Sequence, residues 1–386
     1  MEQKPLELYF HIPFCMKKCL YCDFLSAPAD MGTKDRYMRA LFAEVEGRAD
    51  EYRDYQVSSI FIGGGTPSTV EPAWMARLLG TVREHFFVQE DAEITIEVNP
   101  GTVDEECLQI YRQAGINRLS IGLQSARDEE LRTLGRIHTW EQFLAAYDAA
   151  VSAGFDNINI DLMSALPEQT LASYHETLEC VLALSPPPTH ISAYSLIVEE
   201  GTPLFERQRR GELFLPDEDC ERQMYEDTEK WLVGAGFSRY EISNYARPGY
   251  ECRHNCGYWR RVDYIGFGIG AASLFQDTRF HNGRDLQAYL QAPLESREEV
   301  ELLSERERME EFMFLGLRMT QGVSKQEFSE KFGVALEEVY GPVIQKNLED
   351  GLLYEHIEDA GGERYLALTG RGLDLSNYVM SQFLFD

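Results

Sequence analysis

Six short apolar runs rich in β-branched residues recur along the first half of the chain. They begin near residues 6, 57, 93, 117, 156 and 190 and read LELYFHI, VSSIFI, EITIEV, NRLSIGL, DNINIDL and HISAYSL. Segments with apolar residues at helical spacing separate them, such as KDRYMRALFAEVEGRADEY and WMARLLGTVREHF. Strands that alternate with helices form parallel sheets through right-handed crossovers. The sequence therefore predicts an α/β fold with a partial (β/α)6 barrel that ends near residue 215.

The unusual motifs of this region directly follow the predicted strands. Three cysteines follow the first run, GGGTPS the second, NPGT the third and QSAR the fourth. The carboxyl ends of parallel strands lie at one edge of a sheet, which is where such folds bind ligands. The order of the motifs therefore predicts one shared site.

The rest of the chain divides into a connecting segment and a C-terminal domain. Residues 216–300 contain a helical stretch and a loop-rich part, and residues 301–386 combine helices with a hairpin around Gly361 and Gly362. That second pattern is typical of a winged helix. Its 8 Lys+Arg against 17 Asp+Glu, a net −9, favour packing or partner binding over DNA binding. The predicted domains are 1–215, 216–300 and 301–386.

The composition excludes several classes of protein. The 386 residues carry a net charge of −29 with a pI near 4.7, so the surface repels nucleic acid and anionic membranes. We find neither a signal peptide nor an apolar run long enough to span a bilayer, which predicts a soluble, cytoplasmic protein. Its eight cysteines are then reduced, and close spacing among them indicates a metal site rather than a disulfide.

The stretch HIPFCMKKCLYCDF places Cys15, Cys19 and Cys22 within eight residues. Thiolates hold iron–sulfur clusters, and three ligands leave one of four irons open to a small molecule. Zinc is the rival metal, although a structural zinc site has four ligands. A third interpretation is that the cysteines pack as small apolar residues, but Lys17, Lys18 and the strand-end position argue against it.

The cysteine spacing, with Tyr21 before the third cysteine, resembles the signature of the radical S-adenosylmethionine superfamily. GGGTPS, IEVNPGT, RLSIGLQS, LGRIHT and NIDLMSALPEQT resemble its branch of oxygen-independent coproporphyrinogen oxidases and their relatives. The resemblance implies a [4Fe–4S] cluster on Cys15, Cys19 and Cys22. It also implies that the open iron chelates the amino and carboxylate groups of S-adenosylmethionine.

The same resemblance implies a set of residues that bind S-adenosylmethionine. By motif position they are Tyr9, Tyr21, Gly64, Gly65, Thr66, Glu97, Gln124, Arg136, Asp161 and Ile197. Glycines permit a close approach of the backbone to a ligand. Each position also has a structural alternative: Asp161 as a helix cap, Arg136 as a surface residue and the glycines as a simple turn.

Two departures from the oxidase pattern separate this chain from the oxidases. Phe24 stands where oxidases carry a further cysteine, and the chain starts only fourteen residues before Cys15, without their N-terminal extension. Both features resemble the sister group, the HemW heme chaperones. The resemblance implies a protein that binds heme and hands it to hemoproteins. The alternatives are an oxygen-independent coproporphyrinogen III dehydrogenase and a radical enzyme with an unknown substrate.

The stretch RPGYECRHNCGYW contains the HNxxYW motif of that group. The implied heme contacts are an axial imidazole from His254, flat faces from Tyr258 and Trp259, and propionate pairing by Arg260 and Arg261. Residues 247–261 carry four Arg against one Glu, a local net of +3. The alternative is a hydrogen-bonded structural histidine among arginines in ordinary ion pairs.

Further implications of the resemblance concern ligands and partners. Cys252 and Cys256 offer thiolates as alternative heme ligands, and relatives carry a histidine near Ala272 that this chain lacks. The resemblance implies recipient hemoproteins, membrane-associated respiratory enzymes among them, and is compatible with a homodimer. Nucleic acid is not an expected partner.

Overall fold

All six predicted runs are strands of one sheet in the structure, a computed structural model that describes residues 4–357 and 362–385. They pair in chain order, and each neighbouring pair is parallel. Helices connect them, which confirms the predicted α/β fold. The elements are β1 (Lys4–Ile12), α1 (Met31–Arg48), β2 (Tyr55–Gly64), α2 (Pro72–His85), β3 (Phe87–Val98), α3 (Glu105–Gln113), β4 (Arg118–Gln124), α4 (Asp128–Thr133), α5 (Trp140–Ser152), β5 (Ile158–Ser164), α6 (Leu171–Leu182) and β6 (His190–Ser195).

The central strands read as continuous apolar runs because both of their faces are covered. Every residue of β4 is buried, as expected for a parallel strand between a barrel interior and an outer layer of helices. The helices begin at polar caps: Thr139 and Thr170 each form a capping box at the start of α5 and α6. The main core lies between the strands and these helices.

The sheet is longer than the six strands that the sequence predicts. Four strands from residues 264–302 extend it beyond β1, and two short strands extend it beyond β6. They escape the sequence pattern because they have only two to six residues and are interrupted by glycines. The elements of this part are α7 (Pro203–Arg209), α8 (Glu218–Gly234), β7 (Ser238–Arg239), β8 (Asn244–Ala246), α9 (Arg253–Trp259), β9 (Tyr264–Phe267), β10 (Ala272–Phe275), β11 (Thr278–Asn282), α10 (Leu286–Gln291) and β12 (Arg297–Leu302).

The C-terminal part has its own core and a winged-helix-like arrangement, as predicted. Helices pack on a three-stranded sheet in which β14 and β15 are antiparallel. Gly361 of the predicted hairpin turn lies outside the described residues. The elements are α11 (Glu305–Gly316), β13 (Val323–Ser324), α12 (Lys325–Phe332), α13 (Leu336–Glu349), β14 (Leu353–Ile357), β15 (Arg364–Leu368), α14 (Gly370–Asp374) and α15 (Ser376–Ser381). Within residues 4–357 and 362–385, no helix is both long enough and apolar enough to cross a bilayer.

Glu44 fastens the added strands to the barrel. Its buried carboxylate accepts hydrogen bonds from the backbone N–H of Gly268 at 2.9 Å, Asn282 Nδ2 at 2.7 Å and the Tyr289 hydroxyl at 2.6 Å. Arg48 lies beside it, with Nε 3.7 Å from Oε1. One α1 side chain therefore satisfies polar groups from three segments that follow residue 264.

Removing this carboxylate should destabilise the fold. We expect Glu44→Ala to lower the free energy of unfolding by about 3–5 kcal/mol, because it leaves the three buried donors without their acceptor. Arg48 loses one of its two carboxylates and keeps Glu51 and the Leu294 carbonyl. Urea denaturation followed by circular dichroism measures the change. Glu46→Ala, an exposed position on the same helix, should stay within about 0.5 kcal/mol of the parent. Equal effects of the two changes would contradict this role for Glu44.

Candidate functional site

The cysteine loop and the glycine turn after β2 are held together by their backbones. The N–H of Gly65 donates to the carbonyl of Ile12 at 2.9 Å, and that of Thr66 donates to the carbonyl of Phe14 at 2.7 Å. A Cβ on Gly65 would lie 2.8 Å from that Phe14 oxygen, and one on Gly64 would lie 2.7 Å from the His11 ring. Only glycines therefore permit this contact, whether or not a ligand is present.

This contact brings the predicted cysteines and most of the predicted cofactor residues around one cavity. We call it the cysteine cavity, and it lies at the carboxyl ends of β1 to β5. Its wall consists of Cys15, Lys17, Lys18, Cys19, Tyr21, Cys22, Phe24, Gly64, Gly65, Thr66, Glu97, Val98, Asn99, Ser120, Gly122, Gln124, Arg136 and Asp161.

Two donors of the cavity point at cysteine sulfurs. Thr66 Oγ1 lies 3.6 Å from Cys15 Sγ, and Arg136 Nη1 lies 3.7 Å from Cys19 Sγ. Hydroxyl and guanidinium donors can hydrogen-bond to sulfur ligands of a metal site. In the part of the chain that the structure describes, no three His, Cys, Asp or Glu side chains converge on a single ion. An iron–sulfur cluster would place each of the three thiolates on a different iron.

The opposite wall carries two carboxyl groups with raised pKa values. Burial and the nearby Asp161 raise the pKa of Glu97 to about 8, against the effect of the Gly64 N–H that donates to it at 3.0 Å. Burial also raises the pKa of Asp161, against hydrogen bonds from Asn159 and Ser192. Such perturbed carboxyl groups in a cavity are typical of binding sites.

Gln124 ends β4 in an unusual backbone conformation. Its φ is 73°, in the left-handed region, and the pairing of β4 with β5 shifts register between Gly122 and Gln124. Strained residues at strand ends occur often at functional sites. Arg136 reinforces this turn by donating to the carbonyl of Gly122, so it is a wall residue and not the surface residue of the alternative interpretation.

Two of the predicted cofactor residues lie elsewhere. Tyr9 is next to the cysteine cavity, with its hydroxyl 3.1 Å from His11 Nδ1, and it lines a second cavity. Ile197 follows β6, is 68% exposed and lines neither cavity. The part that each plays in cofactor binding stays a prediction.

The second cavity, which we call the aromatic cavity, adjoins the first. Phe24, Gly64 and Glu97 belong to both walls. It measures about 590 Å³, compared with about 130 Å³ for the cysteine cavity. Sites for organic ligands usually have ~300–1,000 Å³. Its wall consists of Tyr9, His11, Asp23, Phe24, Leu25, Gly64, Glu97, Tyr258, Trp259, Tyr264, Gly270, Ala272, Leu274, Arg279, Arg284, Phe314 and Leu315.

His254, the predicted axial heme ligand, lies inside the opposite end of the barrel. It is 1% exposed, Nδ1 shares a hydrogen bond with Ser59 Oγ at 2.8 Å, and Nε2 shares one with the Tyr258 hydroxyl at 3.0 Å. Burial lowers its pKa to about 3. The carboxylate of Glu93 accepts the backbone N–H groups at the start of α9. This placement does not fit an axial ligand, because neither ring nitrogen is free.

The other predicted heme residues do not lie together: one is in a buried ion pair, one is on the surface and two line the aromatic cavity. Arg261 is buried and paired with Glu311 at 2.8 Å, so it matches the alternative of an ordinary ion pair. Arg260 is exposed and lies outside the aromatic cavity. Tyr258 and Trp259 do line that cavity. The HNxxYW motif therefore combines a buried histidine with two rings at a cavity wall.

The sequence interpretation missed several wall residues. Asn99, whose side chain donates to Thr66 Oγ1 at 2.8 Å, follows β3 in the NPGT motif and could have been found from it. Arg279, Arg284 and Phe314 come from distant segments and had no signal in a single sequence.

Comparisons with known proteins agree with this architecture. Residues 9–181 match the radical SAM superfamily, and residues 303–375 match the HemN C-terminal domain. The chain also resembles the solved structure of coproporphyrinogen III oxidase (HemN) from Escherichia coli, described as a radical SAM enzyme. The TM-score is 0.84 at 26% identity, with 99% of this chain and 90% of that chain covered. The fold and site therefore define a radical SAM protein of the HemN-like type.

Curated relatives narrow this assignment. The chain is 38% identical to the heme chaperone HemW of Lactococcus lactis, with 100% of this chain and 99% of the relative covered. It is 36% identical to those of Bacillus subtilis (97% and 98% covered) and Escherichia coli (98% of each covered). The chain belongs to the HemW family of radical SAM proteins.

The glycine contact can be tested directly. We expect Gly65→Ala to reduce iron and sulfide incorporation on anaerobic reconstitution to less than half, and to cost about 1–3 kcal/mol of stability, because its Cβ would push Phe14 and the cysteine loop away. Gly80→Ala on α2 is the matched control, since its Cβ would meet nothing within 4 Å. Full iron content in Gly65→Ala would show that the close contact is dispensable.

Proposed function

We propose that the chain is a heme chaperone that binds heme and delivers it to hemoproteins. In this proposal it carries a [4Fe–4S] cluster on Cys15, Cys19 and Cys22 and binds S-adenosylmethionine next to that cluster. The observation that carries the proposal is the convergence of the three cysteines, the glycine turn and the carboxyl pair on one cavity. The names of the full-length relatives support the chaperone assignment over other radical SAM functions.

The residues of the cysteine cavity offer ligands for the cluster and hydrogen-bonding groups for S-adenosylmethionine. When bound, the cluster and S-adenosylmethionine would supply one-electron chemistry. The glycine turn offers backbone groups, since Gly64 and Gly65 have no side chain between the backbone and the cavity. Glu97 and Asp161 provide acceptors for amine and hydroxyl groups. The buried Nε of Arg136 has no hydrogen-bond partner among the residues that the structure describes.

Phe24 argues against the dehydrogenase as the leading function. Its side chain is 62% exposed and forms part of the wall that both cavities share. A phenyl ring supplies neither a thiol nor a proton at that point. The dehydrogenase stays the second candidate because of the structural similarity to the oxidase. In the leading proposal the protein acts in the cytoplasm on recipient hemoproteins, membrane-associated respiratory enzymes among them.

The cluster assignment predicts a loss of iron on replacing any of the three cysteines. Cys19→Ala should abolish the brown colour and the iron and sulfide content after anaerobic reconstitution, because three thiolates are the protein ligands. Cys220→Ala, which lies on α8 outside the cysteine cavity, should keep both. A Cys19→Ala protein with full iron content would refute the assignment.

The chaperone and dehydrogenase proposals predict opposite outcomes of one experiment. Reconstituted protein is incubated anaerobically with reductant and S-adenosylmethionine, in parallel with heme or with coproporphyrinogen III. We expect bound heme that transfers to an apo-hemoprotein, and no protoporphyrinogen. Absorbance spectra and chromatography of the porphyrins measure both. Catalytic formation of the decarboxylated product would instead favour the dehydrogenase.

A further inference from the structure

The aromatic cavity has a volume and a lining that suit a flat macrocycle. Six aromatic side chains contribute to its wall, and they come from β1, the cysteine loop, α9, β9 and α11: Tyr9, Phe24, Tyr258, Trp259, Tyr264 and Phe314. Its volume of about 590 Å³ falls in the usual range for organic ligands, ~300–1,000 Å³. Rings of this kind bury large apolar areas and stack on other flat groups.

Two guanidinium groups lie in the same wall. Arg284 is exposed and has no carboxylate within 4.0 Å in the described residues, and its charge is close enough to help lower the pKa of His11. Arg279 pairs with Glu311, a carboxylate that it shares with Arg261, and Arg261 also pairs with Asp277. The wall holds these two arginines against two acidic residues, Asp23 and Glu97, so it has no excess of carboxylates. Guanidinium groups pair favourably with carboxylates.

A larger cavity has a different lining. It measures about 890 Å³ and lies at the amino end of the barrel, beside α9. Its wall holds five carboxylates against Arg253 and Arg260: Glu7, Asp91, Glu93, Asp156 and Glu251. An anionic ligand would meet mostly like charges there, although Arg260 lies in that wall.

We propose that heme binds in the aromatic cavity, with its propionates on Arg279 and Arg284. Its macrocycle lies against Tyr258, Tyr264 and Phe314. This inference rests on the proposed function and identifies its ligand site. In this site Tyr258 of the HNxxYW motif contacts the face of the macrocycle. The histidine of the motif, His254, stays in the barrel interior and does not contact heme.

Matched arginine variants test the site. Heme is titrated into the reconstituted holoprotein and followed by absorbance in the Soret region, and metal-free protoporphyrin IX is titrated by quenching of tryptophan fluorescence. We expect Arg284→Ala to raise both dissociation constants about five- to tenfold, the scale of the net contribution of one hydrogen bond at an exposed side chain. Arg260→Ala is the control, because Arg260 lies outside the aromatic cavity. It should leave both dissociation constants unchanged. Weaker porphyrin binding by Arg260→Ala, with unchanged binding by Arg284→Ala, would overturn the inference.

A second variant tests the cavity without changing charge. Ala272→Trp should block uptake of both porphyrins, because Ala272 lies in the wall and a bulky ring there fills the space. Iron content and circular dichroism confirm that each variant is folded. If the parent binds heme but Arg284→Ala and Ala272→Trp bind it equally well, this site is wrong and the proposed function survives. If the parent binds no heme, the proposed function itself fails.

Discussion

The contact between the glycine turn after β2 and the loop after β1 controls the geometry of the whole site. Two backbone hydrogen bonds join Gly65 and Thr66 to Ile12 and Phe14, immediately before the first cysteine. The space between these segments is too small for a β-carbon. The rest of the cavity wall lies beside this contact, because β3, β4 and β5 follow β2 in the sheet and each contributes residues to the wall.

Helix α9 contributes to both the barrel interior and the aromatic cavity. Its amino end is held by Glu93, and His254 fills the interior between Ser59 and Tyr258. Its last turn brings Tyr258 and Trp259 to the aromatic cavity, where Phe314 of α11 completes the wall. This short helix therefore supplies a buried histidine to the barrel interior and two aromatic rings to the cavity wall. These two environments explain why its sequence mixes polar and aromatic residues.

The sequence predicted strands and helices correctly where the hydrophobic period extends over enough neighbouring residues. The six barrel strands and the helix–hairpin order of the C-terminal part follow from hydrophobic period, and both are present. β9 to β12 were missed, because strands of four to six residues with glycines between them have no period long enough to recognise. Their place in the sheet depends on pairing with β1 and on Glu44, which are contacts between distant parts of the chain.

The sequence by itself determined the partial barrel, the common edge of its motifs and the cysteine triad, because strand ends and ligand spacing are properties of neighbouring residues. Only the tertiary structure decided the surroundings of His254 and of the arginines. The sequence motif does not show whether the ring nitrogens of its histidine are free or hydrogen-bonded. In the structure both nitrogens are hydrogen-bonded, one to Ser59 and the other to Tyr258. Likewise, Arg284 joins the aromatic cavity only because β9 to β11 fold back onto β1.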